Sequence, residues 1–507
     1  MQLMAHSLSA VPASKCILPR FRALLRQFTV PVNELFALKN NALLCQFAPF
    51  FATYYGNLLL RSKPAMTEKH SEVLTNVSFI EDFRSPYLKG VKFTFTQSGQ
   101  KRSFDLVLRH SSVATLLYHT TQKKFVLVKQ FRPAVLLAHI LRQPENLNKK
   151  LSDVEWHKYD ASHGYTVELC AGLVDKNIPI VDIAKEEIEE ECGYGVKKED
   201  IHLVASFSVA AHESGGVQYL FYAEIDDSMK ITEGGGNAHE GEYITKVFLT
   251  EAEAHAFLEN DYPLSPPPML YALLWWFENK AKKRAEFKSV VPYKWKPKDV
   301  VPLKDFKFEP MPTSSRFVPL RMHFTLGTLT RTWDLALCDD SFAILLYNED
   351  KKELVFTQRF RPATLVGLAR HRSPPKTKLE DIDWASQPPE WAYTLEMCSG
   401  HHKRGSSAQE IEQRVRECVA LKCGYRLNSL QFVTSYIIGI SFSGDRQRVY
   451  YAKVNDSMKL KDWSQFEDMV PYSIPCDVIP SFIRAETPTG PPAVLFMMQW
   501  FLNTQRQ

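Results

Sequence analysis

The sequence lacks the features that mark secreted, membrane-spanning or fibrous proteins. Its nine cysteines include no Cys-x-x-Cys pair and are odd in number, whereas a secreted disulfide framework needs an even, dense set, so a reducing compartment is expected. The charge-free stretch 40–60 is interrupted by polar residues and a proline, so no membrane association is expected. With 45% hydrophobic and 23% charged residues, the chain is expected to be globular.

Acidic residues are nearly absent from residues 1–65, where seven basic residues stand against Glu34 alone. This segment is interpreted either as a mitochondrial targeting arm or as a gene-model artefact preceding a start at Met66. A cytoplasmic location is expected unless the arm is a genuine presequence. The rest of the chain is close to neutral and has no aromatic-basic stripe, so no nucleic-acid partner is expected.

The sequence repeats itself at an offset of 229 residues. Residues 222–230 (YAEIDDSMK) match residues 451–459 (YAKVNDSMK), and each copy closes with Pro-Pro and an aromatic-rich helical pattern. Such self-similarity indicates two copies of one domain. The predicted segments are an arm, a first domain, a basic linker and a second domain: 1–65, 66–280, 281–300 and 301–507.

Within one copy, short apolar runs alternate with helical patterns. The run 125–129 is typical of a buried strand, and the pattern 181–192 predicts a helix with Asp182 in its first turn and a stop at Gly193. The order of strands, helix, strands and helix predicts an α+β or α/β sandwich.

The predicted helix is strongly acidic, since five of the six residues 186–191 are glutamates. Most charge runs are only solvated faces. Here Glu187, Glu190 and Glu191 stand at i, i+3 and i+4, where they share a face and repel by about 0.2–0.5 kcal/mol per pair. A hard divalent cation such as Mg²⁺ would relieve that repulsion, because it takes oxygen ligands and pairs with phosphates.

The segment 172–194 resembles the Nudix box, G-x5-E-x7-R-E-U-x-E-E-x-G-U, with U an aliphatic residue. Gly172 and Gly193 have the required spacing, and the three glutamates above fall on the metal-binding positions. The segment departs from the pattern at three positions, which hold Ile178, Glu186 and Tyr194. Glu186 replaces the arginine of the box, so Lys185 or Arg132 is expected to supply the missing cation.

The resemblance extends beyond the box to the UDP-sugar diphosphatases of the Nudix superfamily, through residues 129–135 (KQFRPAV), 168–175 (ELCAGLVD) and 191–194 (ECGY). It implies two Nudix-type α/β/α sandwich domains in tandem. It also implies hydrolysis of a nucleoside diphosphate sugar, with UDP-glucose giving UMP and a sugar 1-phosphate, dependent on Mg²⁺ or Mn²⁺. Relatives usually form homodimers, and the two copies here allow an intramolecular pseudo-dimer instead.

The resemblance implies roles for residues of the first domain. The metal would be held by three carboxylates and one backbone carbonyl, those of Glu187, Glu190, Glu191 and Ala171. Arg132 offers a planar donor fork that suits a phosphate, and Glu168 is expected to bind substrate.

A glycine-rich turn at 234–236 leads to two further acidic residues. Glu240 is the expected base that activates water, Glu242 is the alternate, and Glu191 is a further catalytic residue.

The second domain is expected to be catalytically degenerate. Counted back from Gly424, its metal positions hold a thiol, an apolar side chain and an ammonium group: Cys418, Leu421 and Lys422. By the offset of 229, Glu240 and Glu242 correspond to Met469 and Pro471.

Three functions compete. The first is hydrolysis of UDP-sugars, and the second is the same reaction on ADP-ribose or another nucleoside diphosphate derivative. The third is a non-catalytic nucleotide-sugar sensor or scaffold, which Glu186 and the degenerate second domain favour. The intact set of three box glutamates favours an enzyme.

Overall fold

The computed structural model describes residues 72–81, 85, 89–212, 214–237, 242–279, 295–311, 318–374, 377–464, 469–483 and 490–505. The predicted arm at 1–65, most of the predicted linker and Glu240 lie outside these ranges. Contacts join Ser71–Gln507 into one compact unit. None of the helices in the described ranges is long and apolar enough to cross a membrane.

The first half contains the predicted strands and helices, together with elements that the sequence patterns did not predict, including the helices Pro133–Leu141 and Glu251–Leu258. Its strands are β1 Leu74–Ile80, β2 Lys89–Gln97, β3 Gln100–Leu108, β4 Ser112–His119, β5 Lys124–Phe131, β6 Tyr165–Glu168, β7 Cys170–Leu173, β8 His202–Val209, β9 Gly216–Ile225 and β10 Ile244–Thr250. Its helices are α1 Pro133–Leu141, α2 Ile180–Glu187, α3 Glu251–Leu258 and α4 Pro267–Asn279.

The second half repeats this order. Its strands are β11 Leu303–Pro310, β12 Val318–Leu326, β13 Leu329–Leu337, β14 Asp340–Asn348, β15 Glu353–Phe360, β16 Tyr393–Glu396, β17 Cys398–His402, β18 Gln431–Ile437, β19 Arg446–Val454 and β20 Met469–Pro475. Its helices are α5 Pro362–Arg372, α6 Ala408–Cys423, α7 Ile479–Phe482 and α8 Pro492–Gln505.

Each half contains a mixed seven-stranded sheet. The first has the order β10-β5-β4-β9-β8, with β6 on β5 and β7 on β4, and the second has β16-β15-β14-β19-β18, with β17 on β14 and β20 on β15. Only β4–β9 and β14–β19 are parallel among the pairs within these two sheets. In the first half, α2 buries Ile183 on one face of the sheet and α4 buries Leu273 on the other. The expected mixed α/β sandwich is confirmed.

The two halves exchange their first strands. Strand β11 of the second half pairs with β2 of the first, with Phe308 opposite Phe93. Strand β1 of the first half pairs with β12 of the second, with Phe79 opposite Met322. Each hairpin, β2–β3 or β12–β13, is therefore completed to three strands by the other half.

The exchanged sheets cover the first helix of the opposite half. Phe93 and Leu106 of the sheet β11-β2-β3 lie in one apolar core with Val366 of α5. Met322 of the sheet β1-β12-β13 shares a core with Leu137 of α1. Burial of apolar area is roughly worth 25 cal/mol per Å², so these contacts make the exchange a major source of stability.

Two equivalent glycines allow the halves to approach closely. Gly215 has φ +60°, and a Cβ there would lie 2.1 Å from the carbonyl oxygen of Ala363 in α5. Gly444 has φ +61°, and its Cβ would lie 2.1 Å from the carbonyl oxygen of Ala134 in α1. Because any side chain would collide with backbone, each position requires glycine.

A bidentate ion pair also joins the halves. Arg142, just after α1, donates from Nε and Nη2 to Asp340 at 2.7 and 2.5 Å. Asp340 also accepts the backbone N–H of Arg446 at 2.9 Å. Burial alone would raise the pKa of Asp340, but the hydrogen bonds and charge of Arg142 outweigh it and hold that pKa below its usual value.

We expect Arg142→Met to lower the free energy of unfolding by about 2–4 kcal/mol at pH 7, because it leaves the buried Asp340 carboxylate unpaired. Since the folded pKa of Asp340 is depressed, its contribution is present above its unfolded pKa and lost as pH falls through the folded pKa. The difference from wild type should therefore shrink in acid. Urea denaturation at several pH values measures this.

Lys158→Met is the matched control, since it breaks the exposed pair between Lys158 and Glu155. Because that pair is exposed to solvent, its loss should lower the free energy of unfolding much less than the loss of Arg142 does. Equal losses in the two variants would contradict the role given to Arg142.

Candidate active site

The acidic helix differs from the single α-helix predicted over 181–192. Helix α2 ends at Glu187 and continues as a π-helical turn, Ile188–Cys192, which carries Glu190 and Glu191. Gly193 ends it with φ 78° and donates its N–H to the carbonyl of Glu189 at 3.1 Å. A π turn widens the helix and is common at functional sites. The prediction of one uninterrupted α-helix is therefore wrong in this last turn, although Glu190 and Glu191 still interact electrostatically with Glu187.

Gly172 makes room for the carboxylate of Glu187. A Cβ on Gly172 would lie 1.8 Å from Glu187 Oε1. Burial, followed by the charges of Glu190 and Glu242, raises the pKa of Glu187 to about 7, and Lys176 opposes the shift. The site therefore gathers carboxyl groups whose charged forms the nearby protein cations do not fully stabilise.

Glu191 is buried at the base of the site, with 2% of its surface exposed. Its Oε2 accepts the N–H of Ala171 on β7 at 2.9 Å. Burial raises the pKa of this carboxyl well above its usual value, although the hydrogen bond from Ala171 acts in the opposite direction. The structure thus brings together Ala171 and Glu191, two of the predicted metal ligands.

The glycine-rich turn docks on the carbonyls of the π turn. Gly235 and Gly236 donate their N–H groups to the carbonyls of Glu191 and Glu190 at 3.0 and 3.2 Å. Gly234 has φ +62°, and a Cβ there would lie 2.5 Å from the Glu191 carbonyl oxygen. This fixes the start of the segment that leads to Glu242, whose charge acts on both Glu187 and Arg132.

Arg132 and Glu168 form a bidentate pair beside these carboxylates. Arg132 Nε and Nη2 donate to the two Glu168 oxygens at 2.8 and 2.7 Å, and the Thr166 hydroxyl donates to the same carboxylate. Burial would lower the pKa of Arg132, but Glu168 raises it, with further contributions from Glu191 and Glu242. Sequence reasoning named both partners but missed their pairing and Thr166.

Glu186, at the arginine position of the box, has a partner that sequence reasoning missed. It forms an ion pair with Lys176, and both side chains are about half exposed. Lys185 pairs with Glu189 instead, and Arg132 pairs with Glu168. Arg132 also interacts electrostatically with Glu191 and Glu242, so it remains the expected replacement for the box arginine. No spacing rule pointed to a lysine ten residues before Glu186 in the loop.

Two mammalian proteins are similar in sequence to part of this chain. Uridine diphosphate glucose pyrophosphatase NUDT14 from Mus musculus is 35% identical over 198 residues, which are 38% of this chain and 89% of that protein. The Bos taurus protein of the same name is 34% identical over the same shares. The chain belongs to the Nudix hydrolase family.

A bacterial protein is also similar in sequence to part of this chain. A GDP-mannose pyrophosphatase from Cronobacter sakazakii is 32% identical over 146 residues, 28% of this chain and 63% of that protein. No protein-family model matches the chain. A solved structure described as an ADP compounds hydrolase aligns with 43% of the chain at 14% identity, but with a TM-score of only 0.26. A TM-score this low does not support a shared fold.

The second Nudix half keeps the ion pair but not the carboxylates. Arg361 donates to Glu396 at 2.6 and 2.7 Å, and Thr394 donates to the same carboxylate at 2.8 Å. Helix α6 runs unbroken to Cys423 without a π turn. Cys418 occupies the first of the three box positions, and its sulfur lies 3.7 Å from that of Cys398.

Strand register corrects the two equivalences expected for Glu240 and Glu242. Ile244 lies opposite Gln130 in the first half, and Met469 lies opposite the corresponding Arg359 in the second. The counterparts of Glu240 and Glu242 are therefore positions 465 and 467, not Met469 and Pro471, because the offset of 229 changes before β20. Residue 467 is a glutamate outside the described residues.

The donor set of the first half suits a divalent metal, which Nudix hydrolases generally use. Among the described residues, no three or more His, Cys, Asp or Glu side chains are already arranged closely enough to hold a metal ion. Even so, the raised pKa of Glu187 reflects burial and repulsion between carboxylates. A hard cation would relieve the repulsion and favour the charged forms.

We expect Gly172→Ala to reduce kcat/KM about 10- to 100-fold, because the new Cβ displaces the Glu187 carboxylate from its place beside β7. Thermal unfolding should change little. Gly195→Ala is the matched control, since a Cβ there would meet its nearest atom, in the side chain of Ile231, at an ordinary 3.4 Å. Full activity of Gly172→Ala would show that this packing does not position Glu187.

Proposed function

We propose that the first half hydrolyses the diphosphate bond of a nucleotide sugar, releasing UMP and a sugar 1-phosphate from a substrate of the UDP-glucose type. The observation that carries this proposal is the grouping of Glu187, Glu191 and Glu242 around the pair Arg132–Glu168. The names of the mammalian relatives support UDP-glucose as the substrate.

Glu187, Glu190, Glu191 and the carbonyl of Ala171 would hold Mg²⁺, for which Mn²⁺ could substitute. When bound, the ion polarises the diphosphate and lowers the pKa of a coordinated water.

Arg132 would orient a phosphate of the substrate. Its Nε and Nη2 are used by Glu168, but Nη1 makes no hydrogen bond within the described residues. Glu168 thus holds the guanidinium plane while Nη1 remains available for an anionic oxygen. Glu168 acts through Arg132 as a positioning residue.

Glu242 would take the proton from the attacking water. Its charge contributes to the raised pKa values of Glu187 and Arg132, which flank the reaction site in this proposal. Glu240, the first choice from the sequence, lies two residues earlier and remains the alternate base.

The second half would complete this site, so that one chain works as an intramolecular pseudo-dimer. The guanidinium carbon of Arg331, on β13, lies 4.8 Å from the ring centre of Tyr243, next to Glu242. Phe324 of β12 lies 6.0 Å from Phe131, centre to centre. Such a unit needs no second chain, nucleic acid or membrane. The cytoplasmic location stays a prediction.

The test of the reaction is a hydrolysis panel of UDP-glucose, GDP-mannose and ADP-ribose with Mg²⁺, with products separated by chromatography. UDP-glucose should be cleaved fastest, and Glu190→Gln should lower kcat/KM by about 100-fold or more through loss of a metal-binding carboxylate. Faster cleavage of ADP-ribose would select the alternative substrate class.

Glu189→Gln is the matched control on the same turn, because Glu189 pairs with Lys185 instead of joining the carboxylate group. It should keep wild-type activity within about twofold. Inactivity of the wild type on every substrate would replace the hydrolase with a nucleotide-sugar sensor.

The contribution of the second half is tested by Arg331→Ala. Loss of its contact with Tyr243 should raise KM about five- to tenfold and change kcat by less than about twofold, since the residue borders the site without touching the reacting atoms. Steady-state kinetics on UDP-glucose separate the two constants.

Arg102→Ala is the pseudo-symmetric control. Arg102 corresponds to Arg331 and lies over Phe360 of the second half, 5.0 Å from the ring centre. It should leave KM unchanged. Equal effects of the two variants would argue against a specific contribution of Arg331 to the first site.

A further inference from the structure

The second half carries cations where the first half carries neutral or acidic groups. Counted back from Gly424 and Gly193, Lys422 occupies the position of Glu191. By strand register, Arg359 occupies the position of Gln130, since they face Met469 and Ile244 respectively. The degenerate site has therefore lost its three box carboxylates and gained two cations among the described residues.

Arg359 lacks an anionic partner of its own. Its guanidinium makes no hydrogen bond or ion pair within the described part of the chain. The nearest carboxylate, Glu396, is already held by both Nε and Nη2 of Arg361. Burial, together with repulsion from Arg361, lowers the pKa of Arg359. An added anion would offset both effects.

Lys422 is the second cation of the degenerate site. Its ammonium donates to the carbonyl of Ser399 at 2.5 Å, and Ser399 is the counterpart of Ala171. The charges of Lys422 and Arg359 both act on the thiols of Cys398 and Cys418. Lys422 on α6 thus lies against the carbonyl of Ser399 on β17, and Arg359 on β15 acts on the same two thiols, in the region where a metal would bind in an active half.

We propose that the second half binds a phosphate or diphosphate group without a metal, through Arg359 and Lys422. In the first half, carboxylates need a cation before they attract a diphosphate, whereas here the side chains themselves supply the positive charge. The described charges at this spot are three cations, counting Arg361, against the single carboxylate of Glu396. Guanidinium and ammonium groups are the usual protein partners of phosphate oxygens.

Bound phosphate would be held and not cleaved. The three box positions hold Cys418, Leu421 and Lys422, so they offer no carboxylate for a divalent metal. The ligand class is shared by free inorganic pyrophosphate and by the diphosphate of a nucleotide sugar. The site is independent of whether the first half hydrolyses nucleotide sugars.

The experiment is calorimetric titration of the full chain in EDTA, with inorganic pyrophosphate in one arm and UDP-glucose in the other. Wild type should bind one equivalent. Arg359→Gln and Lys422→Gln should each weaken binding about tenfold or more through loss of a charge-assisted contact. Tighter binding of UDP-glucose than of pyrophosphate would identify the nucleotide sugar as the source of the diphosphate.

Lys453→Gln is the matched control, since Lys453 is an exposed lysine of the same half that pairs with Glu349. It should bind like wild type. Lys422→Arg keeps the charge and should retain binding within about threefold, which keeps the test decisive if Arg359→Gln fails to fold. Circular dichroism identifies any unfolded variant.

Two results would overturn the proposal. One is the absence of binding of either probe to wild type in EDTA. The other is binding that survives in both Lys422→Gln and Arg359→Gln but disappears in Arg132→Gln, which would place the anion in the first half.

Discussion

The strand exchange between the halves is the constraint on which the rest of the structure depends. Without β11 the hairpin β2–β3 has an open edge, and without β1 the hairpin β12–β13 has the same defect. The completed sheets cover α1 and α5, and Arg132 and Arg361 stand at the N-termini of those helices. The exchange therefore supports the arginine of each site from the opposite half.

Within the first half, glycines and hydrogen bonds hold carboxylates together against their mutual repulsion. Gly172 admits the Glu187 carboxylate, and Gly234 admits the carbonyl of Glu191. The Ala171 amide fixes Glu191. Because these contacts are made by packed backbone, the carboxyl groups are held in place before any cation binds, and cation binding then favours their charged forms. Such positioning in advance is the preorganisation that catalysis on a diphosphate requires.

Much of this was predictable from the sequence, and the rest was not for physical reasons. The repeat, the mixed sandwich and the family followed from matched spacing, because those depend on local pattern. The π turn could not be predicted, since periodicity does not distinguish i+4 from i+5 bonding over one turn. The pairing of Glu186 with Lys176 depends on a loop conformation, and the shifted counterpart of Glu242 depends on strand register.

The fusion of two copies has a consequence for how such a protein changes over time. In a dimer of identical chains, every substitution is made twice, once in each subunit, and a loss in one site is a loss in both. Here Arg142 binds Asp340, whereas the equivalent position of the second half holds His371, whose Nε2 lies 2.7 Å from the hydroxyl of Tyr219. Each half is thus under separate selection. The second half can lose its box carboxylates while its strands and glycines still support the fold of the first half.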